Sequence, residues 1–368
     1  MEKQDKKHIT EPLFHISKRS SCIWWKAWLI RLSAIFMALI VSAVVIYFIT
    51  SGNTNPIAAY REIINGAVGN KTKTFNTLRD TMALLCIALA VTPAFKMKFW
   101  NIGAEGQVLM GALATYAVMY KCTGLPNTVV ILIMFVVAVI VGGIWGVIPA
   151  IFKAQWNTNE TLFTLMMNYI ATQIVAICIV FWERPVGSNK VWLLDNGAFP
   201  PIFGKGYGLN LIVVPLVMLL MYIYLKYSKQ GYEIAVVGES ENTARYAGIN
   251  VKKVIIRTMA ISGALCGLAG FLLVGGYEHS ISTATAGGNG FTAIIVAWMA
   301  KLNPIVMFAT SFLLVFLDRG ASQVATKCGL NESASDIVTG IILFFIIGCE
   351  FFIDYKITFR KKIKEGSR

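Results

Sequence analysis

Nine apolar runs limit what this chain can fold into. They cover residues 27–50, 81–95, 102–120, 128–152, 161–182, 211–227, 254–276, 289–317 and 336–353. Only 14% of the 368 residues are charged, whereas soluble domains carry about a quarter. Because lipid offers no partner for backbone N–H and C=O groups, runs of this kind fold as helices. The sequence therefore predicts an all-α fold, a polytopic bundle of transmembrane helices.

One of these runs, 289–317, is too long for a single comfortable span. Lys301, Asn303 and Pro304 interrupt it, and proline removes a backbone donor while Asn-Pro favours a turn. We therefore predict two shorter segments, 289–300 and 304–317, each crossing wholly or in part. The total becomes about ten segments, including short or broken helices, and an even number leaves both chain ends on one side.

The net charge of +14 is concentrated at the chain ends. Basic clusters that flank spans indicate cytoplasmic ends, and this placement argues against nucleic-acid binding. The first run is longer than the apolar region of a signal peptide and has no clear cleavage site, so it predicts a retained span. We predict basic cytoplasmic tails at 1–26 and 354–368, on either side of a transmembrane domain at 27–353.

Three connections are long enough to carry function. Residues 51–80 and 183–210 are expected to face outward. The 226–257 connection is expected in the cytoplasm, with a short helix over 241–246 and a glycine cap at Gly248. Its central part, 229–250, is either a docking element or a simple solvated connector.

The chain carries no sequence motif for catalysis. It has no His-Glu-x-x-His pattern, no Gly-x-Ser-x-Gly elbow and no Gly-Lys-Ser/Thr phosphate loop, and its seven scattered cysteines form no Cys-x-x-Cys pair. We predict no catalytic residue, no metal site and no cofactor. Glycines spaced at Gly142–Gly146 and Gly263–Gly267 predict close helix packing.

Polar and aromatic side chains within apolar runs are the candidate site. They are Asn101, Glu105, Gln107, Asn168, Asn289 and Phe291. A carboxylate in a spanning segment is costly unless it is paired, neutral or facing water. Glu105, Asn101 and Asn168 either tie neighbouring helices together or line a path. Asn289 and Phe291 lie next to a glycine-rich helix start. They could equally border a path or pack within the helix bundle.

Four sequence blocks, in order, resemble the permease subunits of binding-protein-dependent ABC importers. They are residues 101–107 (NIGAEGQ), 159–161 with 166–169, 288–294, and 297–304. The stretch at 244–249 is similar to the coupling segment of that family. The family serves branched-chain amino acids, simple sugars and nucleosides, and residues 101–107 and 183–185 most resemble the nucleoside permeases.

This resemblance implies a transport subunit of a bacterial cell membrane, surrounded by lipid, rather than an enzyme. ATP hydrolysis would belong to separate cytoplasmic ABC ATPase subunits, which would dock the 229–250 segment. The resemblance also implies an extracellular substrate-binding lipoprotein and a second permease subunit, usually a different chain. The implied coupling residues are Gly231, Glu241, Ala244, Arg245 and Gly248.

Other functions remain open from the residues alone. The same machinery could import simple sugars or branched-chain amino acids, because aromatic and amide side chains suit several cargoes. An ion-coupled secondary transporter is a second possibility. An intramembrane enzyme or polymer flippase using Glu105 as acid or base is a third, although it lacks a partner motif.

Overall fold

The computed structural model describes residues 14–19, 23–49, 56–188, 190–202, 204, 206–327 and 332–359. This described part is mainly helical, which confirms the all-α prediction. The chain divides into two compact units. One contains residues 1–66 and 317–368, and the other contains residues 67–316.

The first unit pairs the beginning of the chain with its end. Its elements are β1 (Phe14–Lys18), α1 (Trp24–Ile49), most of α2 (Pro56–Val68), the end of α12 (Pro304–Lys327), α13 (Glu332–Asp354) and β2 (Tyr355–Phe359). Helices α1 and α13 pack together, and Arg31 donates to Glu350 at 2.8 Å. Strands β1 and β2 form an antiparallel pair. The sequence did not predict this pair, which involves both predicted tails.

The second unit is built around a central helix, α10, which packs against α3, α4 and α5. Its helices are α3 (Lys71–Lys96), α4 (Ala104–Lys121), α5 (Asn127–Trp156), α6 (Glu160–Trp182), α7 (Asn210–Tyr227), α8 (Lys229–Glu239), α9 (Glu241–Tyr246), α10 (Val251–Leu273), α11 (Asn289–Met299) and the start of α12. A π-helical turn, Val274–Glu278, continues α10, and a 3-10 turn, Gly206–Leu209, precedes α7.

Glycines bring α5 and α10 into backbone contact. A Cβ atom on Gly267 would lie 2.2 Å from the carbonyl oxygen of Ala138, and one on Gly142 would lie 2.5 Å from that of Gly263. Van der Waals packing drives helix association in lipid, so small residues at the contact let the backbones approach closely. The packing predicted from the glycine spacing is confirmed.

Each of the ten predicted apolar segments is helical over most of its described residues. Within the described part of the chain, seven helices are long and apolar enough to span a membrane. Helix α11 has 11 residues and is therefore only about 16 Å long, too short to cross alone. The predicted break is confirmed, because α11 ends at Met299, α12 begins at Pro304, and Lys301 and Leu302 between them have positive φ.

One predicted connection, 51–80, is largely wrong. Residues 51–55 lie outside the described part, but α2 and the first ten residues of α3 occupy most of the remainder. The predicted apolar run begins only at residue 81. Residues 71–80 instead form the first turns of a longer helix, whose start Asn70 caps by accepting the Lys73 N–H at 2.8 Å.

The 183–210 connection is irregular, as predicted. Residues 189, 203 and 205 within it lie outside the described part of the chain. Asn196 donates to the carbonyl oxygens of Met119 and Cys122, and the Gly197 N–H donates to Asn127. These bonds hold the connection against the ends of α4 and α5.

Candidate functional site

The turn before α4 lies about halfway along the central helix α10. Asn101, in this turn, donates its side-chain N–H to the Ser262 hydroxyl at 3.2 Å. Ser262 is eleven residues beyond the start of α10 at Val251, or about 16 Å along its axis. Residues Val251–Glu278 are long and apolar enough to span a bilayer, whose hydrocarbon core is about 30 Å thick, so we refer to the level of Ser262 as mid-depth.

Glu105 joins the start of α4 to the start of α11 at this level. Its two carboxylate oxygens accept the Gly288 N–H at 2.8 Å and the Gly290 N–H at 2.7 Å. A helix start leaves backbone N–H groups without partners and carries positive partial charge, so a carboxylate stabilises it. Glu105 therefore caps a helix 183 residues away in the chain.

Glycines make this contact possible. A Cβ atom on Gly290 would lie 2.4 Å from the Glu105 backbone nitrogen, so only glycine lets α11 come this close to α4. Gly288 has φ +75°, a left-handed conformation that glycine adopts without steric cost.

Asn101 and Gln107 form a buried amide pair. The Gln107 side chain donates to Asn101 Oδ1 at 3.2 Å, and Asn101 also accepts the Gly103 N–H at 3.0 Å. Both side chains are fully buried. Their bonds join the irregular turn before α4 to α10 through Ser262.

Asn168 ties α6 to the same turn. Its Oδ1 accepts the Gly106 N–H at 2.9 Å and its Nδ2 donates to the Ile102 carbonyl at 2.9 Å. The Thr164 hydroxyl, one turn earlier on α6, accepts the Ile102 N–H at 3.2 Å. The polar groups of this turn at mid-depth are thus bonded within the protein, as a low-dielectric environment requires.

The open side of the site is formed by α11 and the loop before it. Phe291 is 44% exposed, Asn289 is partly exposed, and residues 282–284 and 287 are exposed. Non-helical backbone at membrane depth is stable only where protein covers it or water fills a cavity beside it. Of the six predicted site residues, Asn289 and Phe291 lie on this open side, and Glu105, in the first turn of α4, bonds to the helix start beside them.

Two exposed tryptophans lie at the other end of α11. Trp100 and Trp298 stack with ring centroids 5.6 Å apart, and both pack edge-on against Phe95. This aromatic cluster covers the C-terminal end of α11 against α3. Nothing in the sequence predicts that these tryptophans, which are 198 positions apart, would pair.

Helices α8 and α9 form a second candidate surface, at the end of α10 far from the π-helical turn. Ser228 and Ser240 cap them by accepting the Gly231 and Thr243 N–H groups. Gly231 is buried, since a Cβ atom there would lie 2.4 Å from the Tyr224 carbonyl oxygen. The predicted 241–246 helix and the left-handed Gly248 are both present.

An apolar cluster anchors these two helices to the second unit. Ile234 of α8 and Ala244 of α9 are fully buried, and they pack in one cluster with Ala94, Phe99 and Met259. A cavity of about 240 Å³ lies beside it, lined in part by Lys98, Gly238 and the ion pair of Lys153 with Glu160. The cluster places α9 in packing contact with the ends of α3 and α10.

The outer side of α9 is polar and aromatic. Tyr246 is 94% exposed, and Arg245 is mostly exposed and only loosely paired with Glu241 at 3.4 Å. An exposed tyrosine beside an arginine is a combination common at the centres of protein interfaces. Among the residues that the structure describes, no cluster of three or more His, Cys, Asp or Glu side chains could hold a metal ion.

Sequence reasoning missed Ser262 and Thr164, which complete the mid-depth network. A signal for Ser262 was available, because it is a polar residue beside Gly263 in the close-packed stripe of α10. Thr164 likewise precedes Asn168 by one turn on the same helix face.

Comparison with known proteins gives one family and several relatives. Residues 73–347 match the family described as "Branched-chain amino acid transport system / permease component". The guanosine ABC transporter permease protein NupP of Bacillus subtilis is 30% identical over 330 residues, covering 86% of this chain and 92% of the relative. The glucose ABC transporter permease protein TsgB13 of Haloferax volcanii is 25% identical, covering 90% of each chain. The nucleoside ABC transporter permease protein NupB of Lactococcus lactis is 27% identical, covering 84% and 88%.

Proposed function

The chain belongs to the family of permease components of branched-chain amino acid transport systems, and on that premise we propose that it imports nucleosides. It is a multi-pass membrane protein and a permease subunit of an ABC transporter. The names of two of the relatives above include guanosine or nucleoside, and the name of the third includes glucose. Nucleosides are therefore the first candidate cargo, and simple sugars the second.

The observation that carries this proposal is the half-helix α11, which begins at mid-depth behind an exposed glycine-rich loop. Transporters place substrate sites near the membrane midplane, at interrupted helices of this kind. Phe291 offers an aromatic face for stacking a base, and Asn289 offers amide hydrogen bonds. Asn101, Gln107 and Asn168 hold the adjoining turn in shape, and Glu105 fixes the position of α11.

Transport would follow alternating access, driven by ATP that partner subunits bind and hydrolyse. A cytoplasmic ABC ATPase docks on the outer side of α9 through Arg245, Glu241 and Tyr246, while Gly231, Ala244 and Gly248 keep α8 and α9 in position. A ligand shifts a conformational equilibrium only by its difference in affinity for the two states. ATP binding supplies that difference, and the packed cluster under α9 transmits it to α3 and α10.

The remaining partners complete the path. An extracellular substrate-binding lipoprotein delivers cargo to the side of the 183–210 connection, and a second permease chain covers the open side of α11. With α8 and α9 in the cytoplasm, both chain ends are cytoplasmic, as the basic clusters favour. The membrane is the bacterial cell membrane.

The test is uptake by cells in which the gene for this chain is deleted and then restored. Labelled guanosine, uridine, ribose and galactose are compared, and the same four are titrated against the purified cognate binding protein. Loss and recovery of guanosine or uridine uptake is expected. Recovery of ribose or galactose uptake alone would replace the nucleoside assignment with the sugar one.

A further inference from the structure

The start of α11 is a filled anion site. The N-terminus of a half-helix at mid-depth ordinarily attracts the anionic group of a cargo, because its N–H donors and dipole favour negative charge. In this chain, Gly288 and Gly290 give their N–H groups to Glu105. The protein's own carboxylate thus occupies the place where a cargo carboxylate or phosphate would bind.

No backbone N–H group of the first turn of α11 is left for cargo. The Asn289 N–H donates to the Ala286 carbonyl at 3.0 Å, and the Phe291 and Thr292 N–H groups donate to the Gly288 carbonyl at 3.1 and 3.2 Å. With the two bonds to Glu105, all backbone N–H groups from 288 to 292 are used.

Glu105 also brings negative charge to the path. Both of its oxygens act as acceptors, and among the residues that the structure describes no lysine or arginine forms an ion pair with it. Its side chain is partly exposed, beside the open side formed by Asn289 and Phe291. The helix dipole offsets about half an elementary charge, so the site stays net negative.

We infer that Glu105 is a specificity-determining residue that restricts this path to uncharged cargo. This inference rests on the proposed function. It predicts that nucleosides and free sugars pass, whereas nucleotides and other anions meet a repulsive charge and find no free backbone N–H group at this helix start. Amino acids are disfavoured for the same reason, because their carboxylate has no helix start to bind.

The first experiment tests whether the site is a filled anion site, independently of transport. Full-length wild-type, Glu105→Ala and Gln107→Ala proteins are purified in detergent, and melting temperatures are measured in sodium formate and in sodium chloride at equal concentration. Formate should raise the melting temperature of Glu105→Ala by about 2 °C or more, since it replaces the lost carboxylate. The wild type and Gln107→Ala, which keep Glu105, should not respond. An equal response of all three proteins, or none in Glu105→Ala, overturns the inference.

The second experiment tests charge selection by the path. Uptake of xanthosine, whose base loses a proton near neutral pH, is compared with uptake of guanosine at pH values on both sides of that ionisation. The same binding protein serves wild type and Glu105→Gln, so its own preference cancels between them. The ratio of xanthosine to guanosine uptake at the higher pH should rise between about twofold and tenfold in Glu105→Gln.

The outcomes separate the inference from the proposed function. An unchanged ratio in Glu105→Gln refutes charge selection while nucleoside import stands. If wild-type cells import no nucleoside, the proposed function fails, and the formate response still decides whether Glu105 fills an anion site. If Glu105→Ala does not fold, the ratio measured with Glu105→Gln decides.

Discussion

Asn168 of α6 and Gly106 of α4 are joined by a 2.9 Å hydrogen bond from the glycine N–H to the asparagine Oδ1. The same side chain donates to the Ile102 carbonyl, so one amide satisfies both a backbone donor and a backbone acceptor. This contact holds the turn before α4 in place, and with it the carboxylate that caps α11. A buried amide thereby controls the position of the half-helix without touching it.

Replacing Asn168 should destabilise the second unit. Asn168→Ala leaves a buried N–H and a buried carbonyl without partners, at a cost of about 1–3 kcal/mol. Thermal unfolding in detergent should show a lower midpoint. Tyr169→Ala is the matched control, because the neighbouring Tyr169 is 64% exposed and should change the midpoint little. Equal midpoints for Asn168→Ala and wild type would show that the turn is held by other contacts.

Two adjacent glycines of α5 should differ sharply in their tolerance of alanine. A Cβ on Gly142 would lie 2.5 Å from a backbone oxygen of α10, whereas one on Gly143 would have its nearest neighbour at an ordinary 3.5 Å. Gly142→Ala should therefore lower the unfolding midpoint and reduce uptake, and overpacking of this kind costs about 1–3 kcal/mol. Gly143→Ala should be close to wild type. Similar behaviour of the two variants would contradict the close packing of α5 on α10.

Reversing the charge of Arg245 should disrupt docking of the ATPase subunit. Arg245 is mostly exposed, so Arg245→Glu should express and fold normally while uptake and transport-stimulated ATPase activity fall together. The double variant Glu241→Arg/Arg245→Glu restores the pair within α9 but not the charge presented to a partner, and should stay inactive. Recovery in the double variant would mean that the intrahelical pair matters and docking does not.

Tyr246 should be a second determinant of ATPase docking. It is 94% exposed at the end of α9, and truncating a central interface tyrosine typically costs 2 kcal/mol or more. Tyr246→Ala should weaken binding of the ATPase subunit by about tenfold or more, as measured by titration with the purified subunit. Tyr169→Ala again serves as control, since that tyrosine is also well exposed but lies on a membrane-spanning helix. Unchanged affinity for Tyr246→Ala would place the docking surface elsewhere.

Local signals in the sequence were enough to predict most of the helices and the break after α11. Apolar runs, the Asn303-Pro304 pair and the Gly248 cap each affect only the backbone of the few residues around them. Their effect can therefore be predicted without knowledge of the fold. The 51–80 prediction was wrong because the apolar run begins only at residue 81, whereas α3 begins at Lys71 and includes the polar residues Lys73 and Asp80. A helix tolerates such residues in its first turns when only its later turns are buried, as in α3.

The candidate residues were predicted from chemistry, but their partners were not. A carboxylate and several amides within apolar runs had to be bonded or facing water, because unpaired polar groups are costly in lipid. The sequence by itself therefore determined a helical membrane protein with a polar centre around Asn101, Glu105 and Gln107. It could not determine which groups satisfy them.

The tertiary structure alone decided those pairings. Gly288 lies 183 residues from Glu105, Ser262 lies 161 from Asn101, and β2 lies more than 300 from β1. Contacts at such separations depend on how helices pack, and packing depends on the combined shape of many side chains. From the sequence, Glu105 could have lined the path or tied two helices together. The fold gives its carboxylate the Gly288 and Gly290 N–H groups as partners, because Gly290 lets α11 lie beside α4.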